Sequence, residues 1–297
     1  NIGRKGVGVN PLRGQNNVQG DADMGCQPHQ GAGYFEVGDE KNQKFYTEKY
    51  GVTHPTKPGL KIPQMFEAAI DKELKGLWII GEDIVQTDPN SAHVIEAMNS
   101  LELLVVQEIF MSETAKLATV VLPGTTFLEK DGTFTNTERR IQRVNKAVPP
   151  LPGTKPDGVI VTDMMQKLGF NQPTYDADQV LAEIADVVPF FKGVTRERLG
   201  KMGLQWPVQE DGTDTQILHT ETFKLGKGQL KNFDWKESTE IETNKKEYPL
   251  ILTTSRVLQH YNAATMTRRT KNINIVDEDV LLIHPKDAAH RDINTGD

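Results

Sequence analysis

Short apolar runs alternate with other, more amphipathic segments along the first half of the chain. The runs at Gly76–Ile80, 101–106 and 118–122 predict buried strands, because a strand covered on both faces carries an almost unbroken apolar sequence. The neighbouring segments are predicted to be helices, at 65–74, 91–98 and 112–117. Strands that alternate with helices pair in parallel through right-handed crossovers, so this half is predicted to be an α/β unit.

The second half of the chain is less regular. Its clearest helix is predicted at 177–188, where apolar residues recur on one face. A polar, glycine-rich stretch follows at 205–247, and the apolar run after it indicates a second domain from Glu247 onward. The remaining predictions are a hairpin or loop at 133–144, a helix at 157–168, and strands at 248–254, 275 and 280–283.

Composition places the chain among soluble globular proteins and narrows its partners. Of its 297 residues, 37% are hydrophobic and 25% are charged, and no apolar run reaches the roughly 18 residues of a membrane-spanning helix. The formal net charge of -7 argues against a nucleic-acid-binding protein, which normally carries a basic face. The single cysteine, Cys26, provides neither an intrachain disulfide nor a cysteine-ligated iron–sulfur cluster.

The two ends of the sequence do not resemble natural termini. Residues 1–4 lack an initiator methionine and the apolar core of a signal peptide, and residues 293–297 form a turn-like sequence. Both ends are therefore expected to be internal to a longer protein. Its localisation signal, if it has one, is expected on a segment outside this chain.

The stretch at 10–20 combines glycines and amide side chains around one arginine. Glycine lets the backbone approach a ligand closely, and the planar guanidinium of Arg13 suits a carboxylate or a phosphate. The neighbouring amides, Gln15 included, suit the edge of a heterocycle. The same residue types also build ordinary turns, so composition alone leaves both a binding loop and a surface turn open.

Two further stretches carry charged and hydroxyl groups next to predicted turns. The segment 253–261, with 266–269 behind it, places hydroxyls, an arginine and a histidine after a predicted strand, which suits a pyrophosphate. Its alternative is a polar turn with a solvated basic pair. The segment 129–140 offers Lys130 to a phosphate or a pterin, and its alternative is an exposed hairpin turn at 131–132.

Established catalytic and metal-binding motifs are absent from the sequence. It contains no phosphate-binding P-loop and no Gly-x-Ser-x-Gly nucleophile motif, and its seven histidines have no metal-ligand spacing. No pair of carboxylates stands out for acid–base chemistry. The residues alone therefore predict a soluble α/β ligand-binding protein.

The three stretches occur together in the order found in the molybdopterin oxidoreductase family, and the chain resembles the formate dehydrogenase branch of that family over nearly its whole length. The element at 13–17, Arg-Gly-Gln-Asn-Asn, separates this branch from the nitrate reductases. The other matching motifs lie at 10–20, 23–25, 81–83, 86–88, 106–115, 118–123, 129–140, 254–261 and 266–268.

The resemblance implies an enzyme that oxidises formate to carbon dioxide or catalyses the reverse reaction. Its molybdenum or tungsten is expected to be held by two molybdopterin guanine dinucleotides, and electrons are expected to leave through an iron–sulfur cluster to electron-transfer subunits. The cysteine or selenocysteine metal ligand, its neighbouring histidine and the cluster cysteines are expected before residue 1. No metal ligand is therefore expected in this chain, which is expected to be inactive by itself; the expected compartment is the cytoplasm.

The resemblance also assigns roles to individual residues. Arg13 matches an active-site arginine that orients the carboxylate of formate and stabilises charge as the C–H bond breaks. Strand ends at 81–82 and 107–108 match the place where the family holds a guanosine portion. The complete set implied in cofactor binding is Gln15, Gly81, Glu82, Gln107, Glu108, Lys130, Asp157, Thr254, Ser255, Arg256, Val257 and His260. The match at Asp157 is the weakest of these, because the sequence around it diverges.

The expected fold is α/β, with a parallel-sheet dinucleotide-binding-like domain followed by the start of a β-barrel cofactor-binding domain. Residues 1–15 would end a preceding α/β domain that carries the active-site loop, and residues 16–170 would form the α/β cofactor-binding domain. A helical and irregular connector would occupy 171–246, and a truncated β-barrel would occupy 247–297. The alternatives are a non-catalytic nucleotide-binding or interaction module on this fold, and a related subunit that has lost the metal.

Overall fold

The chain divides into two compact units, Asn1–Gly228 and Gln229–Asp297. A computed structural model describes residue 4 and residues 7–223 and 225–297, apart from the side chain of residue 240. In these residues the α-helices are α1 (Val18–Asp23), α2 (Glu40–Tyr50), α3 (Ile62–Ile70), α4 (Ile84–Thr87), α5 (Ser91–Ser100), α6 (Glu113–Lys116), α7 (Asp157–Lys167), α8 (Ala177–Val187), α9 (Arg196–Leu199), α10 (Thr239–Asn244) and α11 (Pro285–Ala289). The strands are β1 (Gln30–Gly31), β2 (Phe35–Glu36), β3 (Gly76–Ile80), β4 (Leu103–Glu108), β5 (Val120–Pro123), β6 (Gly132–Thr135), β7 (Arg140–Val144) and β8 (Leu204–Gln205).

A three-stranded parallel sheet of order β3-β4-β5 organises the first unit. Its register sets Ile79 beside Val106, and Val106 beside Val121, so apolar side chains line up across the strands. The core around them is completed by buried residues of α3, α5 and α6, among them Phe66 and Val94. The predicted alternation of strands and helices and the parallel pairing are confirmed, with element ends that shift by a few residues.

A second, antiparallel sheet of order β6-β7-β8 contains the hairpin predicted at 133–144. Its turn lies at 136–139, so the alternative turn at 131–132 is wrong. The side-chain oxygen of Asn136 accepts hydrogen bonds from the backbone N–H groups of Glu138 and Arg140, each at 3.0 Å, and this fixes the turn. Because Asn136 supplies the turn chemistry, the chain at 131–132 is left to enter β6.

The polar segment at 34–60, which has no regular apolar pattern, contains a helix, α2. Asp39 caps its first turn by accepting a hydrogen bond from the backbone N–H of Asn42 at 3.0 Å, and Gly51 ends it with a φ of 68°. None of its residues is buried. An apolar period therefore could not reveal this helix, since capping and exposed polar residues define it.

The second unit differs most from the prediction. Its described residues form α10, α11 and two short 3₁₀-helices at Thr267–Arg269 and Lys271–Asn274, and they form no strand. The strands predicted at 248–254, 275 and 280–283 are therefore wrong for this structure. A strand is held by hydrogen bonds to a neighbour, and no neighbouring strand is present within the described part of this unit. The start of a β-barrel stays a prediction.

Candidate functional site

The carboxyl ends of the three parallel strands meet at one edge of the sheet. Directly after β3, Gly81 turns with a φ of 66° and donates its N–H to the backbone oxygen of Gln107 at 2.9 Å. Directly after β5, Gly124 donates its N–H to the backbone oxygen of Glu108 at 3.0 Å. Ligands of open parallel sheets bind at this edge, so it is a candidate ligand-binding site.

Three of the predicted cofactor residues are joined by hydrogen bonds at this edge. The buried side chain of Gln107 donates from Nε2 to Oδ1 of Asp157 at 2.7 Å, and Lys130 forms an ion pair with the other oxygen of the same carboxylate. Asp157 is the first residue of α7, where the helix dipole favours a negative charge. The structure thus brings together positions that lie as many as 50 residues apart in sequence.

Three buried oxygens near the strand ends have no hydrogen-bond partner in the described residues. They are Oε1 of Gln107, Oδ2 of Asp83 and Oγ1 of Thr125. The other oxygen of Asp83 accepts from both the N–H and the hydroxyl of Thr114, at 3.0 and 2.7 Å, which fixes the carboxylate in place. A buried acceptor without a donor costs about 1–3 kcal/mol, so these atoms are suited to donors on a ligand.

The strand-end edge fits the guanine group that the family resemblance implies. Guanine presents N–H donors along one edge, which are complementary to a carboxylate or an amide oxygen. At Gly81 no heavy atom of the described residues, apart from the glycine and its two chain neighbours, lies within 4 Å of the position that a Cβ would occupy, so a ligand can approach the backbone there. Asp83 was not among the predicted site residues, although it ends the 81–83 motif. The sequence feature that could have identified it is a carboxylate shortly after a predicted strand.

The two glutamates predicted at this edge have partners within their own loops. Glu82 is exposed and accepts a hydrogen bond from the hydroxyl of Thr87 at 2.8 Å. Glu108 accepts from the backbone N–H of Ile109 at 2.7 Å. Both lie at the predicted strand ends, and their side chains help to shape the loops that follow β3 and β4.

Arg13 lies on an exposed loop that is tied to the second sheet. Its Nε donates to Oε1 of Gln19 at 3.2 Å, and in the described residues its terminal nitrogens have no hydrogen-bond partner. Gln15 is exposed beside it. Asn17, with a φ of 60°, accepts a hydrogen bond from the backbone N–H of Thr135 on β6 at 2.9 Å, so the loop is anchored at its end.

Behind Arg13 lies a buried carboxylate, Asp23, at the end of α1. Its Oδ1 accepts from the hydroxyl of Tyr34 at 2.7 Å and from Nε2 of Gln19 at 2.8 Å, and its Oδ2 accepts from Nε1 of Trp206 at 2.8 Å. Burial raises the pKa of Asp23, and these three donors and the charge of Arg13 offset part of that rise. Sequence reasoning missed this role, although the spacing of four between Gln19 and Asp23 placed them on one helical face.

The predicted residues of the second unit form a separate group. Arg256 donates from Nη1 to Oδ1 of Asn262 at 2.8 Å. The ring of His260 lies between the hydroxyl of Thr267, 3.1 Å from Nδ1, and the backbone oxygen of Val276, 2.7 Å from Nε2. Since a carbonyl only accepts, Nε2 carries a proton. The exposed members of the group are Thr254, Ser255, Arg256 and Val257.

The described residues contain neither a metal-ligand cluster nor a membrane-spanning helix. No group of three or more histidine, cysteine, aspartate or glutamate side chains is arranged to hold a metal ion there. No helix in the same residues is both long enough and apolar enough to span a membrane. Cys26 is exposed, and its thiol is free and not part of a disulfide.

Comparison with known proteins identifies two family profiles and several relatives. The profile described as Molybdopterin oxidoreductase matches residues 1–167, and that described as Molydopterin dinucleotide binding domain matches residues 250–297. The F420-dependent formate dehydrogenase subunit alpha of Methanocaldococcus jannaschii is 43% identical over an alignment of 301 positions, which covers 100% of this chain and 44% of the relative. The F420-dependent formate dehydrogenase 1 subunit alpha of Methanococcus maripaludis is 44% identical over an alignment of 296 positions, which covers 97% of this chain and 43% of the relative.

A solved structure supports the fold. Acetylene hydratase from Pelobacter acetylenicus superposes with a TM-score of 0.54 and 20% sequence identity, over 88% of this chain and 38% of that one. At this identity the likeness concerns the fold alone. The chain spans less than half the length of both curated relatives, so their sequences include a large part with no counterpart here.

Proposed function

Because the chain belongs to the molybdopterin oxidoreductase family, we propose that it takes part in the oxidation of formate to carbon dioxide, or in the reverse reaction. The observation that carries the proposal is the exposed guanidinium of Arg13, held at Nε with both terminal nitrogens available to a ligand. It lies in a chain that is 43% identical to a formate dehydrogenase alpha subunit from end to end. Formate is the smallest carboxylate, and a guanidinium fork binds a carboxylate through two parallel hydrogen bonds.

Arg13 would do two things for the reaction. Its terminal nitrogens would bind the two formate oxygens and orient the C–H bond, and its fixed positive charge would stabilise the charge that develops as this bond breaks. Gln15, exposed on the same loop, would contact the cofactor beside the substrate.

Two groups of residues would hold the cofactor, in the form of two molybdopterin guanine dinucleotides with molybdenum or tungsten. When bound, this group supplies the two-electron acceptor that formate oxidation requires. The strand-end group would bind a guanosine portion of one dinucleotide through Gly81, Glu82, Gln107 and Glu108, with Lys130 and Asp157 as further cofactor contacts. The second group would bind the other dinucleotide through Thr254, Ser255, Arg256, Val257 and His260.

Electrons would leave through an iron–sulfur cluster to partner subunits. The single cysteine of this chain does not supply the ligands of such a cluster, so they would come from outside it. The proposed substrates are formate and carbon dioxide, and the proposed partners are electron-transfer subunits, as the subunit names of the relatives suggest.

The first test is the metal and pterin content of the full-length protein, purified without oxygen, together with formate-dependent reduction of a dye. Molybdenum or tungsten with about two pterins per chain, and activity with formate, is the expected result. Absence of metal, pterin and activity would favour a binding module on this fold and would end the catalytic assignment.

The second test replaces Arg13 with lysine in the same protein. Because a bidentate fork becomes a point charge, turnover of formate is expected to fall on the order of 10- to 100-fold, while the pterin content is unchanged. The matched control is Arg143→Lys, since Arg143 is exposed and bonds only to nearby Asn145 in the described residues. Equal activity of wild type and Arg13→Lys would refute the role of Arg13.

A further inference from the structure

The amide of Gln19 links the buried Asp23 carboxylate to Arg13. Its Nε2 donates to Asp23 at 2.8 Å and to the Tyr34 hydroxyl at 2.9 Å, while its Oε1 accepts from Nε of Arg13 at 3.2 Å. Tyr34 in turn donates to the same oxygen of Asp23, at 2.7 Å. Each donor therefore meets an acceptor. The Gln19 amide, the Tyr34 hydroxyl and the Asp23 carboxylate form a closed set of hydrogen bonds.

An ionised Asp23 fixes the direction of this set. A carboxylate accepts hydrogen bonds and donates none, so the Gln19 amide must turn its NH₂ group toward Asp23. Its oxygen then necessarily faces Arg13. If the amide were turned round, its NH₂ group would face the N–H of Arg13, and two donors would meet.

The orientation of Arg13 follows from this contact. A guanidinium binds a carboxylate either along its Nε side or end-on through its two terminal nitrogens. Since Gln19 occupies the Nε side, the terminal pair is left for an oxyanion. A planar ligand with two oxygens about as far apart as those of a carboxylate matches that pair.

We propose that Gln19 and Asp23 are positioning residues, which orient the Arg13 guanidinium so that it binds a small carboxylate end-on through its two terminal nitrogens. This deepens the proposed function, on which it rests for the identity of the carboxylate. Neither residue touches the substrate; Asp23 acts through Gln19, and Gln19 acts through Arg13. Binding of formate therefore depends on a carboxylate that is fully buried.

The surroundings of Asp23 explain why it stays in place. Nε1 of Trp206 donates to its second oxygen, and the guanidinium of Arg139 lies 5.4 Å from the centre of the Trp206 ring. Arg13 and Arg139 are the cations that interact with this carboxylate. The buried negative charge is thus held by three donors and two nearby positive charges, as a buried charge requires.

The test exchanges the two polar groups in the full-length, metal-loaded protein. In Asp23→Asn the new NH₂ group faces either the donors of Gln19 and Tyr34 or the N–H of Trp206, so in both orientations two donors meet and residue 23 loses a hydrogen bond that holds it. The KM for formate is expected to rise about tenfold or more, with the KM for the dye unchanged. In the double variant Gln19→Glu with Asp23→Asn, the asparagine donates and the glutamate accepts, so the set closes with the same net charge, and the KM for formate is expected to return toward that of the wild type.

A matched pair of tyrosines controls for the loss of a hydrogen bond. Tyr34→Phe removes the hydroxyl that donates to Asp23 at 2.7 Å, and Tyr46→Phe removes one that donates to the backbone oxygen of Ala32 at 2.6 Å. Only the first variant is expected to raise the KM for formate. An unchanged KM in both Tyr34→Phe and Asp23→Asn, in protein with normal pterin content, would overturn the inference.

A readout independent of turnover separates this inference from the proposed function. Exposed arginines react with phenylglyoxal, and mass spectrometry locates the modified residue. Formate is expected to protect Arg13, and the half-protecting concentration is expected to rise about tenfold in Asp23→Asn and to return in the double variant. Wild-type protein that lacks formate-dependent dye reduction would contradict the proposed function, whereas half-protecting concentrations equal in wild type and Asp23→Asn would contradict the positioning role.

Discussion

Burial and hydrogen bonding act in opposite directions on two acidic side chains near the candidate site. Burial is the larger effect at Asp23 and raises its pKa. Hydrogen bonds are the larger effect at Glu129, whose pKa is lowered by the backbone N–H and the hydroxyl of Thr126 and by the backbone N–H of Leu151. Glu129 precedes Lys130, so its ionised form fixes the loop from which that lysine reaches Asp157.

The lowered pKa of Glu129 predicts a specific dependence of stability on pH. A carboxyl whose pKa is lower in the folded state contributes stability above its unfolded pKa, about 4.3, and loses it as the pH falls through the folded pKa. Glu129→Gln is therefore expected to be less stable than the wild type at pH 7, with a difference that shrinks on acidification below pH 4. Urea unfolding at several pH values measures this, with Glu96→Gln on the exposed face of α5 as the control. A difference that is constant with pH would contradict the prediction.

Single residues show how far the sequence could identify the site. Arg13 and Lys130 were predicted from motifs, because their neighbours in sequence carry the pattern. Asp157 had the weakest motif, yet it accepts hydrogen bonds from both Lys130 and Gln107. Contacts between residues this far apart in sequence leave no local signal. The contact between Asp23 and Trp206 was not predicted for the same reason, whereas Gln19 and Asp23 lie only four residues apart and were missed although they share a helical face.

At the scale of elements, the junction between α1 and β1 depends on the absence of a side chain at Gly25. Its φ is 79°, and a Cβ there would lie 2.2 Å from the backbone carbon of Gly31. Gly51, at the end of α2, has a φ of 68°, but among the described residues no heavy atom beyond its two chain neighbours lies within 4 Å of its Cβ position. An alanine at Gly51 therefore adds backbone strain alone, whereas an alanine at Gly25 adds both backbone strain and steric overlap.

Alanine at these two positions is expected to have unequal effects. Gly51→Ala should lower the free energy of unfolding by about 1–2 kcal/mol, the cost of a left-handed alanine. Gly25→Ala adds a backbone overlap to the same strain, so its loss should be at least twice as large. Urea denaturation of both variants gives the comparison, and equal losses would show that the chain around Gly25 relaxes without cost.

The elements that the sequence predicted are those with an internal apolar pattern. The strands β3, β4 and β5 were found because buried parallel strands are almost continuously apolar. The helix α2 and the position of the hairpin turn were not, because both depend on single capping or turn residues, Asp39 and Asn136. Apolar runs in the second unit predicted strands that the structure does not form, since a strand also requires a partner.

At the scale of the whole molecule, the stretch at 217–237 differs from the folded parts around it. In its described residues the backbone hydrogen bonds are limited to one, from Gly226 to Phe223 at 2.9 Å. Its large apolar side chains are strongly exposed: Leu225 by 95%, Leu230 by 103%, Phe233 by 85% and Trp235 by 84%. Few hydrogen bonds and little burial are the properties of a segment that opens at low free energy.

Limited proteolysis tests this property directly. Chymotrypsin cuts after large apolar and aromatic residues, and its first cuts are expected between 217 and 235, since the comparable residues of the sheet core are buried. Mass spectrometry of the early fragments locates the cuts. First cuts in the parallel sheet, after Phe66 or Leu104, would contradict the expectation.

The hydrogen bond between Asp23 and Trp206 also has a consequence for the timing of biosynthesis. It joins residues 183 positions apart in the chain. At a translation rate of about 5–20 residues per second, a ribosome takes roughly 10–40 s to travel from one to the other. During that interval the Asp23 carboxylate of each nascent chain lacks the hydrogen bond from Trp206. The hydrogen-bond set that we propose orients Arg13 is therefore incomplete. Arg13, the arginine that we propose binds the substrate, is thus oriented late, after nearly the whole first unit has been synthesised.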